Sequence, residues 1–523
     1  MMKNPKVLVI GLDGGTWNLL KPWAERRKLP AFKKLMTAGV YGTSITTIPP
    51  VTGPAWVSFA TGKNPGKHGI FDFVKLEENH LRPLSPTNVG CDTFYNMLSE
   101  KFSCIIMGLP LSYPPGNNFN GIMISDFLYP NRQIFPKTKS QYLRNYSFPD
   151  LLLESKEDLL NDIIKTATNR IETAKKMFSK EIWDFFFLWY GETDWVSHFF
   201  WDDIKYNTRI GQKAKFVFQI IDGFLCWLLK RINNNCYLFI VSDHGFGDCP
   251  HNVALNQMFL ESGLLKKCLK DVSQEMTKEK LLGIKRKEMR VPKFVFKIFD
   301  VCPFVKSLSA SVLKLLFGDK VKATYETGID FENSNAFVPT SEAMGIYVNE
   351  SNQKKKKVIE DITETLEHLE YKGHRVFKRV LCREEVYSGS HVGKAPDIML
   401  IPDGFHITSN LDKDLFGKFN DGGYHDSNGI FLAYGPDIKK GAKIENVRIY
   451  DMAPTILHIY GLPIPIDVDG RVLMEIFEDQ SEKAKRTPTY IETSHRRRRM
   501  DVGMYSPKDE EEIKKRLKEL GYL

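Results

Sequence analysis

The 523-residue sequence is short of several things, and each shortage excludes a class of protein. Its eight cysteines (Cys91, Cys104, Cys226, Cys236, Cys249, Cys268, Cys302 and Cys382) form no C-x-x-C pair. That argues against a disulfide framework and a thiolate zinc site, and fits a reducing compartment. Long hydrophobic runs are missing: FFFLWY at 185–190 and CYLFIV at 236–241 fall far below the roughly 18 residues that span a bilayer. The start, MMKNPKVLVIGLDGG, enters a strand-like run at once, with no basic-then-apolar leader or small-residue cleavage site. The expectation is a cytoplasmic protein whose mature chain begins here. Charge excess is also missing from most of the chain. The net charge of +9 arises between Leu265 and Lys322, where fifteen Lys/Arg stand against six Asp/Glu. This argues against a generally nucleic-acid-coated protein and predicts one basic element, facing a membrane surface, an anionic substrate or nothing specific.

What is there reads as a globular α/β protein. A chain of this length exceeds what one core usually supports, so one large core with insertions, or two to three domains, is expected. Strand candidates are KVLVIGL at 6–12, SCIIMGL at 103–109, IWDFFFLWY at 182–190, CYLFIVS at 236–242, PDIMLIP at 396–402 and GIFLAYG at 429–435. They are apolar throughout rather than alternating, as strands buried on both faces are. With helices between them they predict a doubly wound, mostly parallel sheet, whose ligands gather beyond the carboxyl ends of strands.

Those ends carry chemistry-bearing residues. Asp13 follows the first strand, with Gly14 and Gly15 freeing the turn, and Asp243 and His244 follow CYLFIVS. After IWDFFFLWY comes GETDWVSHFF, where Asp194 and His198 stand at i and i+4, one face of a helix and suited to chelate one ion. His425 lies in a Gly-rich loop, DGGYHDSNGI. In PPVTGPAWVSFATGKNPGKHGI, residues 49–70, Thr52 stands between a proline pair and an apolar run. Each residue has a plain reading: Thr52 and the aspartates as helix caps or turn residues, the D-x-x-x-H spacing as chance, the loop histidine as solvated. Together, three Asp, three His and one hydroxyl provide two ions with three protein ligands each and leave room for a bridging nucleophile.

The ordered segments GLDGGTW at 11–17, IPPVTGPAW at 48–56, ATGKNPGKHGI at 60–70, GETDWVSH at 191–198, VSDHGFG at 241–247, YHDSNGIFLAYGPDIKKG at 424–441 and DMAPTILHIYGLPIPIDVDGRVL at 451–473 resemble the alkaline phosphatase superfamily. The resemblance is to its type I phosphodiesterase/nucleotide pyrophosphatase branch, and within that to a group of predicted phosphohydrolases or phosphomutases. It implies that Asp194, His198 and His425 bind one metal and Asp13, Asp243 and His244 the other. It further implies that Thr52 is the nucleophile between them, and that the cofactors are two divalent cations, Zn2+ with Mn2+ as the alternative. No further cofactor-binding residue is implied. Three positions after its threonine the branch commonly has a polar residue, whereas this chain has Ala55, followed by Trp56. A sulfatase would need Cys or Ser in a C-x-P-x-R context, which T-G-P-A-W lacks. His68 reads as structural, closing the turn after the nucleophile helix.

Four segments are expected: a first part of the catalytic core at 1–262, a basic helical insertion or lid at 263–324, a second core part with a small α/β subdomain at 325–480, and a basic link with a C-terminal helix at 481–523. Within the insertion, residues 293–317 read as a helical element with interleaved lysines, giving 265–322 a peripheral membrane contact or only a solvated face. HRRRRM at 495–500 is a basic cluster. In SPKDEEEIKKRLKEL, Ser506 caps a terminal helix with Pro507 at its first position, an acidic first turn and a basic end, and the helix is expected to dock. The expected activity is two-metal phosphohydrolysis of a phosphodiester or pyrophosphate bond through phosphothreonine, on a phosphorylated small-molecule, nucleotide or lipid-linked substrate. The alternatives are a phosphomutase or phosphotransferase, and a catalytically silent relative that binds an anion. No specific nucleic-acid partner is expected, and the oligomeric state is left open.

Overall fold

The computed structural model describes residues 4–77, 80–116, 118–129, 131–271, 325–350, 352–411, 414–420, 422–493, 505–520 and 522. Most of the basic insertion and the HRRRRM cluster lie outside them, so the expectations placed on 293–317 and 495–500 do too. Among the described residues no helix is long and apolar enough to cross a membrane.

A nine-stranded sheet organises the chain: β1 (Lys6–Leu12), β2 (Val40–Ile45), β3 (Cys104–Met107), β4 (Gly121–Ile124), β5 (Ile134–Phe135), β6 (Phe185–Tyr190), β7 (Cys236–Val241), β8 (Asn428–Tyr434) and β9 (Ala442–Arg448). The order is β9-β2-β8-β7-β1-β6-β3-β4-β5. The centre, from β7 to β4, is parallel, and β2 and β9 are also parallel to each other. β8 runs antiparallel to both its neighbours, and β5 is antiparallel to β4. The central strands are buried on both faces, which is why they read as unbroken apolar runs. The expected doubly wound, mostly parallel sheet is therefore present, with an antiparallel strand inserted where the chain returns.

PDIMLIP departs from expectation. Ile398–Pro402 joins a separate four-stranded antiparallel sheet with Ala336–Phe337, Gly345–Val348 and Phe377–Cys382. Helix Asn352–Glu367 covers that sheet, and Phe337, Ile346, Ile362, Leu366, Ile398 and Leu400 form part of a second apolar core. An apolar run of five residues fits either sheet, and periodicity does not say which.

Three helices matter to the site: α1 (Thr52–Thr61), α2 (Glu192–Lys205) and α3 (Pro507–Glu519). All ten residues of α1 are buried, so it lies inside the protein. α3 has the expected cap, with Ser506 accepting from the Asp509 amide and Pro507 in its first turn. It docks through Ile513 and Leu517.

Candidate active site

Asp13 leaves the carboxyl end of β1, and Asp243 and His244 leave the end of the adjacent β7. The chain turns at Gly14 with φ +60°, where a Cβ would come within 2.9 Å of Asp194 Oδ1. Only glycine combines that backbone with so close an approach. The Gly14 amide donates to Asp243 Oδ1 at 3.3 Å. On the other side of β1, β6 delivers α2, and the Thr193 hydroxyl donates to the Asp13 carbonyl at 2.6 Å, tying the helix start to the turn. Asp194 and His198 share the inner face of α2, as their spacing predicts.

His425 was expected in a loop. It lies instead on a short strand, Gly423–Asp426, paired antiparallel with Gly245–Asp248, and Phe246 is its register partner. Backbone pairing with the segment just after His244 brings this distant residue into the centre.

The seven sequence-predicted residues converge. Asp13, Asp243 and His244 offer ligand atoms within 4.8 Å of one another, as do Asp194, His244 and His425. His198 Nε2 lies 2.9 Å from His425 Nε2 and 3.4 Å from Asp194 Oδ1, and His425 Nε2 is 3.5 Å from the same oxygen. Thr52 is the first residue of α1, behind the N-cap Val51, so it is not the cap. Its Oγ1 donates to Asp13 Oδ1 at 3.4 Å and lies 3.3 Å from His244 Nε2.

Three supporting groups escaped the sequence reading. The indole N–H groups of Trp56 and Trp189 donate to Asp13 Oδ2 at 2.8 and 2.6 Å, which leaves Oδ1 facing Thr52 and, at 3.5 Å, His244 Nε2. Tryptophan in an apolar run looks like core filler, and no spacing rule joins residue 189 to residue 13. The third is Glu342. It accepts a hydrogen bond from the Tyr424 hydroxyl, and its other oxygen lies 3.6 Å from His425 Nδ1. His68, by contrast, is structural as expected: its Nε2 bonds Ser58 Oγ at 2.8 Å and its Nδ1 accepts from the Ile70 amide.

The electrostatics are those of a crowded, dry anionic centre. Burial, reinforced by Asp194, pushes Asp243 up to about 8, and burial with Asp243 and Asp194 raises Asp13 well above the usual carboxylate range. Burial alone would raise Asp194, but His198 and His425 outweigh it and hold it low. Burial, with His244 nearby, pushes His425 down to about 3, and burial lifts Glu342 to about 8. Asp194 Oδ1, Asp243 Oδ2 and His425 Nδ1 are buried without a hydrogen-bond partner. His244 Nδ1 lies 3.0 Å from the Gly245 carbonyl, which can only accept, and Nε2 is turned towards the carboxylates, 3.4 Å from Asp243 Oδ2. Orphaned carboxylate oxygens beside imidazole nitrogens are a donor set that divalent cations satisfy.

Comparison with known proteins gives the family and the fold. The profile of the family described as type I phosphodiesterase/nucleotide pyrophosphatase matches residues 7–428. No curated protein matches the chain. Among solved structures the fold is similar to murine ectonucleotide pyrophosphatase/phosphodiesterase 5, at 17% identity over 91% of this chain and 99% of that one, with a TM-score of 0.51. An inactive threonine-to-alanine variant of that protein, solved with AMP, is similar at 16% identity, with the same coverage and TM-score. Phosphonoacetate hydrolase from Sinorhizobium meliloti 1021, solved with phosphonoformate, is 14% identical over 87% of this chain and 96% of that one, with a TM-score of 0.53. These likenesses concern the fold, whereas the family profile spans the segments carrying all seven converging residues. On that match the chain belongs to the type I phosphodiesterase/nucleotide pyrophosphatase family.

Proposed function

We propose that the protein hydrolyses a phosphodiester or pyrophosphate bond, with Thr52 as the nucleophile and a phosphothreonine intermediate. The observation that carries this reading is the place of Thr52 Oγ1, at the head of a buried helix and within 3.4 Å of both Asp13 and His244. Asp13, Asp243 and His244 would hold one divalent cation, and Asp194, His198 and His425 the other. Sets of three protein ligands with imidazole among them favour Zn2+ over Mn2+. Such ions, when bound, stabilise phosphoryl oxygens and lower the pKa of a coordinated hydroxyl or water.

The chain's own residues do the rest. Thr52 Oγ1 attacks phosphorus in line, its proton directed at Asp13 Oδ1, and the leaving oxygen departs opposite. Water then attacks the phosphothreonine: its oxygen bonds phosphorus as the Oγ1–P bond breaks, Oγ1 keeps the electron pair and regains a proton, and the phosphoryl product is released. The first-turn amides of Thr52 and Gly53 lie at a helix end with no side-chain cap, where they can hold a phosphoryl oxygen. Because a structurally similar murine variant holds AMP, nucleotide esters are substrates to test first. We place the protein in the cytoplasm, since the seven described cysteines are all free.

Thr52→Ala should lose several orders of magnitude in turnover of bis(p-nitrophenyl) phosphate and of nucleotide esters while keeping its fold. Thr52→Ser should keep part of the activity. Acid quench and mass spectrometry should find a phosphoryl group on Thr52. Near wild-type turnover by the alanine variant would end this reading.

A further inference from the structure

We propose that the C-terminal tail is an intramolecular plug: Tyr522 fills the space through which a phosphoryl ester must approach Thr52, and the tail leaves during turnover. This rests on the reading of Thr52 as nucleophile.

α3 is pinned beside the centre by its apolar face and by Arg516, whose guanidinium donates to the carbonyls of Phe127 and Tyr129 at 2.8 and 3.1 Å. The Tyr522 amide then bonds back to the Leu517 carbonyl at 2.9 Å, turning the chain inward. The Tyr522 ring stacks on Phe73, with centroids 5.5 Å apart and planes 8° from parallel. It sits 6.5 Å from the rings of both His198 and His425. Thr52, Asp13, Asp194 and Glu342 are among its electrostatic neighbours. Burial foremost, then those carboxylates, hold the phenol well above its usual pKa, so it stays neutral here.

Accessibility turns this contact into a functional statement. Tyr522 is 2% exposed and Thr52 1%, and Asp13, Asp243 and His244 are fully buried. A hydroxyl so covered cannot receive an ester unless something moves. Its other neighbours, Asp13 at the end of β1 and His244 at the end of β7, belong to the central sheet, and α1 is buried along its whole length. α3 and Tyr522 belong to no sheet, so they can withdraw without breaking one. A phenol beside the attacking hydroxyl also resembles an ester's leaving group in shape, which makes the tail a competitor for the substrate.

The test uses the metal-loaded full chain and bis(p-nitrophenyl) phosphate. Tyr522→Ala should raise kcat/KM by roughly tenfold or more, because affinity is reduced by the fraction of molecules that are closed. Arg516→Ala, away from the centre, should raise it as well by loosening α3, and it serves if Tyr522→Ala does not fold. In the wild type, saturating orthovanadate should increase hydrogen exchange of the α3 amides. A fall or no change in kcat/KM in folded Tyr522→Ala, or unaltered α3 protection with vanadate bound, would overturn the plug. If no ester is turned over by any variant, calorimetry with inorganic phosphate decides: the plug requires tighter binding to Tyr522→Ala than to wild type, and equal affinity refutes it. Failure of the Thr52 reading is seen separately, as turnover surviving in Thr52→Ala.

Discussion

At the scale of single residues, the centre is defined as much by what holds Asp13 as by Asp13 itself. Two indoles bind one carboxylate oxygen and thereby aim the other at Thr52 and His244. Gly11 makes this possible, since a Cβ there would come within 2.6 Å of the Trp56 ring. Trp189 stacks on Phe127 at 5.1 Å and is fully enclosed, so its N–H has little freedom to point elsewhere. Partners of this kind typically govern ligand affinity by ten- to a hundredfold. Trp189→Phe should therefore weaken Zn2+ binding by about that factor in a competitive chelator titration, and lower turnover, at a stability cost of about 1–3 kcal/mol. Unchanged zinc affinity in the folded variant would show that Trp189 only fills the core.

At the scale of elements, α2 depends on a buried ion pair. Arg170, on helix Lys156–Lys180, meets Glu192 at 2.8 Å with both side chains fully buried, and it also donates to the Trp189 carbonyl at 2.5 Å. Burial opposes the Arg170 charge, but Glu192 outweighs it and raises the guanidinium. Glu192→Gln keeps the shape and leaves the cation unneutralised, which should cost roughly 3 kcal/mol in urea unfolding and weaken metal binding through Asp194 and His198. Denaturation at the wild-type midpoint would show that the pair contributes nothing. Element scale is also where sequence reading divides. Central strands such as β1, β6 and β7 were legible because burial on both faces leaves an apolar run. β2 and β9 were not, since VYGTSI and AKIENVR are half exposed and carry polar residues between the buried ones. The aspartates and histidines at strand ends and on the i, i+4 helix face were legible from local spacing. The ribbon that seats His425 was not, because it forms between segments whose pairing only the folded chain supplies.

At the scale of the whole molecule, the positive charge visible in the sequence is concentrated in a segment that leaves the described structure and returns to it. Lys267–Asp271 and Tyr325–Ile329 form an antiparallel ladder in which Asp271 pairs with Tyr325, so the chain leaves and re-enters the described structure at adjacent points. The seven converging residues, their indole and carboxylate supports and Tyr522 all lie outside the 272–324 segment. The ladder can therefore be closed artificially: two-residue turns of the Asn-Gly kind match the twist of antiparallel strands. Replacing residues 272–324 with Asn-Gly should give a folded protein that turns over bis(p-nitrophenyl) phosphate within a few-fold of wild type, because all seven converging residues are kept. If the segment serves as the expected membrane contact, the same variant should lose binding to vesicles containing anionic phospholipid. Wild-type binding should weaken as salt rises, since each basic residue near the surface contributes about 1 kcal/mol that ions screen. Vesicle binding that survives the replacement would move the contact elsewhere on the surface. Loss of small-ester turnover in a folded variant would instead make the segment part of the reaction centre, and the view of a self-sufficient core would fall with it.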